Sequence, residues 1–398
     1  VDVAVVGGGY TGLSAARTLA KGGARVAVLE REAIGWGASS RNGGQVLTGL
    51  KTGPAELLRR HGRDRARSLF AASLAAGGFL EALVAEEAID CAFERCGHVA
   101  AAAKPAHFAA FRAEQELLER EFGHRVRLVP RSDQRSELGS DLYHGLLVDD
   151  RSGALHPARY VAGLAAAARR AGAELRPLTA VREIRRESGG FAVATAAGSL
   201  RAREVVIATN GYTGTAAPAL RRRVVPVGSY IIATEPLSPE RAGALLPRGR
   251  VAFDSKAFLF YFRVTEGRLL FGGRAQFTPA TAGSTRRAAE ILRRGMARVF
   301  PELARVSVEF AWSGNVCFAP DRLPHTGCLD GLHFALGYAG HGVALATWLG
   351  HLTARRLLGE DVDDPFRDLP FRPIPLYGGT PWFLPLAGAW YRLQDWLR

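Results

Sequence analysis

The sequence predicts a fold of two kinds, α/β toward its ends and α+β between them, on three observations. The opening VDVAVVGGGYTGLSAARTLAKGGARVAVLERE runs through an apolar strand, a glycine turn, a helical stretch and a second apolar strand, which is a βαβ unit. Residues 54–139 carry long apolar–polar periodicity at helical spacing, in the stretches 55–60, 66–88 and 108–122, with few breakers. Residues 226–312 read mostly as strands. Together these describe a Rossmann-type nucleotide-binding unit at the start of the chain, a helical insertion after it and a largely antiparallel sheet beyond. Residues 366–398 read as a tail.

Composition excludes several classes. The 398 residues are 47% hydrophobic and 23% charged, enough apolar content for a sizeable core. No run of eighteen apolar residues predicts a membrane span, and the first residues read as a strand rather than a signal peptide. Cys91, Cys96, Cys317 and Cys328 make neither a disulfide framework nor a zinc-type pair, which suits a reducing cytoplasm. No metal is expected, since no His and carboxylate set has ligand spacing. The net charge of +14 comes almost wholly from scattered arginine, the lysines being Lys21, Lys51, Lys104 and Lys256. That pattern reads as biased composition on a solvated surface rather than a groove for nucleic acid.

In the βαβ unit, Gly7, Gly9 and Gly12 form G-x-G-x-x-G around Tyr10 and Thr11. The first glycine makes the tight turn, the second admits a pyrophosphate to the backbone, and the third lets the helix pack on the strand. The helix N-terminus then faces the phosphates. Glu30 ends the second strand beside Arg31, where a carboxylate accepts both hydroxyls of an adenosine ribose.

The loop after the second strand discriminates between dinucleotides. GWGASSRNGGQ, residues 35–45, holds too much glycine for a stable helix or central strand and is shaped for close approach. A Rossmann dehydrogenase would run from the second strand into another helix, so the loop favours FAD over NAD. Ser39, Ser40, Arg41 and Asn42 are its candidate donors, with Ala38 and Gln45 as further cofactor contacts and Gly43 and Gly44 lying against the flat ring; Arg41 fits a structural ion pair equally well.

GWGASSRNGGQ, EVVIATNGYTG at 204–214 and DRLPHTGCLDGLHFALGYAGHGVALA at 321–346 occur in this order, and the chain resembles the D-amino-acid oxidase superfamily of FAD-dependent oxidoreductases. Within it the likeness is to gamma-glutamylputrescine oxidase-like members and to sarcosine and glycine oxidase-like members. The resemblance implies FAD, oxidation of a C–N bond by hydride transfer to flavin N5, and an imine that hydrolyses. It also implies a discontinuous Rossmann-type FAD-binding domain at 1–50, 140–215 and 318–365, with an antiparallel-sheet substrate domain and its helical insertion at 51–139 and 216–317. It implies that backbone near Val181 touches the adenine, and it makes Thr209 and Gly211 a second strand-then-glycine contact. Two departures stand out: Leu270 is where many sarcosine oxidases carry a lysine that assists oxygen, and Cys317 is two residues out of register with the cysteine that anchors flavin in some. Non-covalent FAD is therefore expected, with oxygen or a quinone as acceptor.

In FLFYFR, alternation puts Phe258, Phe260 and Phe262 on one face and Leu259, Tyr261 and Arg263 on the other. Because the family uses this sheet as its substrate wall, Tyr261 and Arg263 are the candidate catalytic grip, with Tyr230 and Arg274 as further substrate contacts. At the glycine turn 340–342, Gly340, His341, Gly342 and Val343 precede a long helix whose N-terminal partial charge would stabilise a reduced flavin. His341 is a candidate flavin contact or a helix-entry residue.

Two rivals remain. Cys91 and Cys96 form a CxxxxC, but its flanks lack the setting of a disulfide reductase and no second G-x-G-x-x-G exists for NADPH. A basic RNA-binding flavoprotein is the other. Trp390, Leu393, Trp396 and Leu397 fall at helical spacing in the tail, which docks on the protein's own surface or serves as a foot on the inner membrane face of a quinone-reducing dehydrogenase.

Overall fold

A computed structural model describes residues 1–273, 278 and 280–397, and of 392 and 394–397 the backbone only. Val3–Val6 and Val26–Leu29 are short runs of small and β-branched side chains buried on both faces, as a covered parallel sheet requires. They lie inside a six-stranded sheet ordered His325–Leu329, Leu332–Leu336, Glu204–Ile207, Val3–Val6, Val26–Leu29, Glu174–Arg176. Every pairing is parallel except that of the edge strand His325–Leu329. A three-stranded antiparallel sheet, Val181–Glu187, Gly190–Thr195 and Gly198–Ala202, packs Phe191 and Val193 against this layer.

Two helices are locked side by side on the sheet. Gly350 of Gly342–Leu357 meets Tyr10–Lys21 so closely that a Cβ would stand 2.3 Å from the Thr11 carbonyl oxygen. Ser14 Oγ donates to the Thr347 carbonyl at 2.6 Å, and the Thr11 and Tyr338 hydroxyls share a bond of 2.7 Å. The N-termini of both helices are therefore held on the same side of the molecule.

The second region is an eight-stranded sheet, ordered Val308–Phe318, Val225–Thr234, Arg268–Gly273, Phe260–Thr265, Val251–Asp254, His98–Ala101, Leu146–Asp149, Arg127–Val129. It is larger than periodicity predicts and not wholly antiparallel, since Val251–Asp254 pairs in parallel with His98–Ala101. His98–Ala101 and Arg127–Val129 come from the stretch read as helical, and Leu146–Asp149 from the stretch assigned to the nucleotide layer. These runs are three or four residues long, and HVAA and LLVD are buried throughout, so no alternation marks them. Helices Ala282–Val299, Pro105–Phe122 and Pro54–Glu86 complete the region, the last broken at Gly62 (φ 74°, ψ 171°). Pro54–Glu86 is long and apolar enough, by length and composition, to cross a membrane. Leu69, Ala72, Ala76, Leu80 and Leu83 instead pack it into the largest core cluster, with Tyr160 and Leu349.

The tail docks. Tyr377 and Leu384 pack on Val225 and Val227, and the Tyr377 hydroxyl donates to the Val224 carbonyl at 3.0 Å. The helix Leu384–Leu397 turns Leu386, Trp390 and Leu393 outward, Trp390 being 57% exposed.

Candidate active site

A cavity of about 340 Å³ begins between Glu30, Arg31 and Val181 and ends at the turn before the Gly342–Leu357 helix. Much of its wall is glycine and alanine. Gly7, Gly9, Tyr10 and Thr11 present the start of the first helix; Ala38, Ser39 and Asn42 of the 35–45 loop and Thr209 face it. Gly340, Gly342 and Val343 close the far end. Glu30 is fixed by two backbone donors, Gly8 N–H at 2.8 Å and Glu32 N–H at 3.0 Å, so its carboxylate is held at the end of the groove. Ser39 Oγ accepts from Tyr10 N–H at 3.0 Å, and Asn42 folds the loop by donating to the Ala38 and Ser39 carbonyls while accepting from Gly44 N–H. The sequence puts glycine where side chains would collide: a Cβ on Gly12 would lie 1.9 Å from the Gly7 carbonyl oxygen.

A second cavity of about 160 Å³ abuts the first, sharing Ala38, Asn42, Asn315, Val316 and the 339–343 turn. Side chains build it: Arg41, Gln45, Lys51, Ser229, Leu259, Tyr261 and His341. Ser229 Oγ and Tyr261 OH are 2.9 Å apart, and Gln45 Nε2 donates to the Ala252 carbonyl at 3.2 Å. Arg41 is held over Trp36, 4.2 Å from the ring centroid, and donates to the Ser313 carbonyl. It is thus both a structural anchor and a cavity wall. Among the described residues lining this cavity there is no carboxylate.

Several expected contacts sit elsewhere. Gly12, Gly44 and Gly211 shape the walls without facing the first cavity; Arg41, Gly43, Gln45 and His341 border the second cavity and not the first. Arg263 follows Tyr261 on the same face, but about 7 Å further along the strand, where the 153–155 segment and Gly44 cover it. It is 8% exposed and donates to the Leu155 and Gly44 carbonyls, at 2.8 and 3.4 Å, and its burial lowers its pKa. Its cation holds the loop and does not reach the cavity. Tyr230 is likewise a core residue, 1% exposed, donating to Ser284 Oγ at 3.0 Å. Phe258 leaves the face shared by Phe260 and Phe262 and packs beside the tail. Arg274 lies outside the described residues. Leu270 borders neither cavity, whereas Cys317 borders the first, its thiol pushed up to about 12 by burial.

Tyr212, Asn315, Tyr338, Ser229 and Lys51 line the site and were not singled out by sequence reasoning. Tyr212 and Tyr338 stand within the 204–214 and 321–346 motifs, and the Tyr212 hydroxyl accepts from Asn315 N–H at 3.1 Å. Ser229 lies next to Tyr230 in the strand and so faces the other way, toward the cavity.

The model of the FAD dependent oxidoreductase (DAO) family matches residues 2–356. The chain belongs to this family. Over 401 residues it is 34% identical to the gamma-glutamylputrescine oxidoreductase of Escherichia coli, covering 99% of this chain and 92% of that protein. Over 403 residues it is 36% identical to a probable oxidoreductase, OrdL, of Rhizobium meliloti, with the same coverage. The structure superposes on glycine oxidase from Geobacillus kaustophilus with a TM-score of 0.80 at 24% identity, covering 95% of this chain and 99% of that one, a likeness of fold.

The site fits the family's cofactor. An elongated backbone-lined groove with a fixed carboxylate at one end, two helix N-termini along it and a separate side-chain cavity at the other end matches FAD's ribose, pyrophosphate and ring in turn. Glu30 would hold the ribose, Gly9 to Thr11 the pyrophosphate, and the 339–343 turn the ring.

Proposed function

We propose that this FAD-dependent oxidoreductase oxidises a C–N bond of a small amine or amino acid in the second cavity, giving an imine that hydrolyses. One observation carries the reading: the cavity where ring and substrate would meet is lined by Arg41 and Lys51 with no carboxylate among its described residues. Oxidation of an amine requires its neutral form, and two neighbouring cations disfavour an ammonium there while accepting the carboxylate of an amino acid. The relatives named for gamma-glutamylputrescine and for glycine support the same class.

FAD supplies the two-electron acceptor when bound. The chain's own part is orientation and exclusion. Tyr261, steadied by Ser229, and Gln45, tied to the Ala252 carbonyl, form a rigid polar wall. The N-terminus of Gly342–Leu357 directs its unsatisfied N–H groups at the turn between the cavities, favouring negative charge there. Leu47, Phe253 and Leu259 keep water out. The raised thiol of Cys317 supports non-covalent cofactor. Anaerobic mixing of the holoenzyme with a panel of amino acids, N-methyl amino acids and acylated polyamines tests the reading: at least one should bleach the flavin. Bleaching by NADPH alone would replace it with a reductase.

A second reading concerns the acceptor. The outward Leu386, Trp390 and Leu393 support a membrane foot that brings the enzyme to quinone. Flotation on liposomes should then be lost on truncation at Gly379, and equal flotation of both forms would remove it.

A further inference from the structure

A third cavity, of about 140 Å³, continues from the second through the shared Leu47, Phe253 and His341. Its charge is opposite. The second cavity has Arg41 and Lys51 and no carboxylate; the third has Glu114 and Asp149 and, among its described residues, no Lys or Arg. Asp149 is satisfied, accepting from Thr48 Oγ1, Arg151 N–H and His124 Nε2, the last at 3.1 Å. Glu114 has no such partner, and burial alone raises its pKa.

Two histidines line the same cavity. His124 gives its Nε2–H to Asp149, so Nδ1 is left as an acceptor, and that atom is buried without a donor. His98, tilted against Phe253 with ring centroids 4.2 Å apart, buries Nε2 with no partner. The residues are 1% and 6% exposed. Both ring nitrogens are closed off from the chamber, so the unpartnered polar group left on its wall is the Glu114 carboxyl, which marks a place for a hydrogen-bond donor. A group with N–H donors and a positive charge satisfies it.

We propose that the second and third cavities form one elongated substrate site, in which the far chamber binds the ammonium at the distal end of an amine whose other end reacts beside the flavin. This rests on the amine reading above. A diamine suits the polarity: its reacting nitrogen stays neutral near Arg41 and Lys51, and its other nitrogen stays charged near Glu114. The distal ammonium belongs to a free diamine or to the amino-acid head of an acylated one.

The test is anaerobic flavin reduction by 1,4-diaminobutane, its γ-glutamyl amide, and n-butylamine, which lacks the distal charge. The apparent dissociation constant should favour one or both charged-tail substrates over butylamine by at least about tenfold, and Glu114→Gln should bring that ratio toward one. The ratio is taken within each protein, so a general loss of stability cancels. Which charged tail is preferred identifies the source of the ammonium. A wild-type ratio near one, or a ratio unchanged in Glu114→Gln, overturns the proposal and leaves amine oxidation standing. If no amine reduces the flavin, the amine reading fails, and calorimetry of 1,4-diaminobutane with the oxidised holoenzyme decides the chamber. Binding that Glu114→Gln abolishes supports it, and absence of binding, or binding unchanged in that variant, overturns it.

Discussion

The first cavity is walled largely by glycine, alanine and the backbone of two helix starts, the second by longer side chains, and the two differ in what can change them. Around Gly7 to Thr11 and the 339–343 turn, the binding surface is a set of N–H groups whose directions follow from φ and ψ, so the residues that matter are those permitting the backbone path. Around Tyr261, Gln45, Arg41 and Lys51, the surface follows from which side chain points inward from a sheet or loop. A wall of the first kind is lost by adding atoms. One of the second kind is retuned by removing them.

The largest effect should come from adding one carbon to the backbone wall. In Gly12→Ala the methyl would fall 1.9 Å from the Gly7 carbonyl oxygen, so the first helix must back away from its strand and take its N-terminal N–H groups with it. Neither neighbour is a flexible side-chain end, and overpacking of this kind costs about 1–3 kcal/mol or more. We expect almost no flavin retained, read from the ratio of visible to ultraviolet absorbance. A yellow Gly12→Ala protein with the wild-type ratio would break the distinction between the two walls.

Next in size is Arg263, which separates a residue that supports the wall from one that forms it. Arg263→Met removes a buried cation and leaves the Leu155 and Gly44 carbonyls without their donor. The expected loss is about 2–3 kcal/mol of stability, visible as a lower melting temperature, with KM for the best substrate changed less than about twofold. A large rise in KM at unchanged melting temperature would return Arg263 to the substrate wall.

That pair of outcomes bears on how far the sequence could be read. The backbone wall was legible because its signal is local: Gly7, Gly9, Gly12 and Glu30 carry their meaning within thirty residues of chain. The faces of Phe260–Thr265 were legible too, since Phe262 is core and Tyr261 faces the cavity. Alternation does not say how far along a strand the cavity extends, and so it could not separate Tyr261 from Arg263. It also missed His98–Ala101 and Leu146–Asp149, because a four-residue strand buried on both faces has no period. The third cavity is bordered by His98, Glu114, His124 and Asp149, which come together only through that unread part of the sheet and the helix beside it.

Tyr261→Phe sharpens the side-chain half of the comparison at smaller amplitude. The ring stays, and what is lost is the hydroxyl 2.9 Å from Ser229 Oγ on a partly exposed wall. We expect kcat/KM to fall about tenfold, a loss of about 1.4 kcal/mol in transition-state binding, with flavin content and melting temperature unchanged. Unchanged kinetics would remove Tyr261 from the site and leave the position of the second cavity without catalytic support.

The smallest expected effect belongs to Cys317, the side chain on the first cavity with the most reactive chemistry. It pairs opposite Pro226 within the eight-stranded sheet, is fully buried, and borders the groove beside Val316 and Tyr338. Attachment to a flavin requires the thiolate, and burial pushes this thiol up to about 12. At pH 7 that leaves a thiolate fraction on the order of one in 10⁵. A thiol so placed packs as a small apolar group, and the cofactor is held by the backbone around it. Cys317→Ser should therefore keep full flavin content, and acid precipitation should give a colourless pellet and a yellow supernatant from both proteins. A yellow wild-type pellet that turns colourless in Cys317→Ser would place a covalent bond in the backbone-walled cavity, and the contrast between the two walls would no longer hold there.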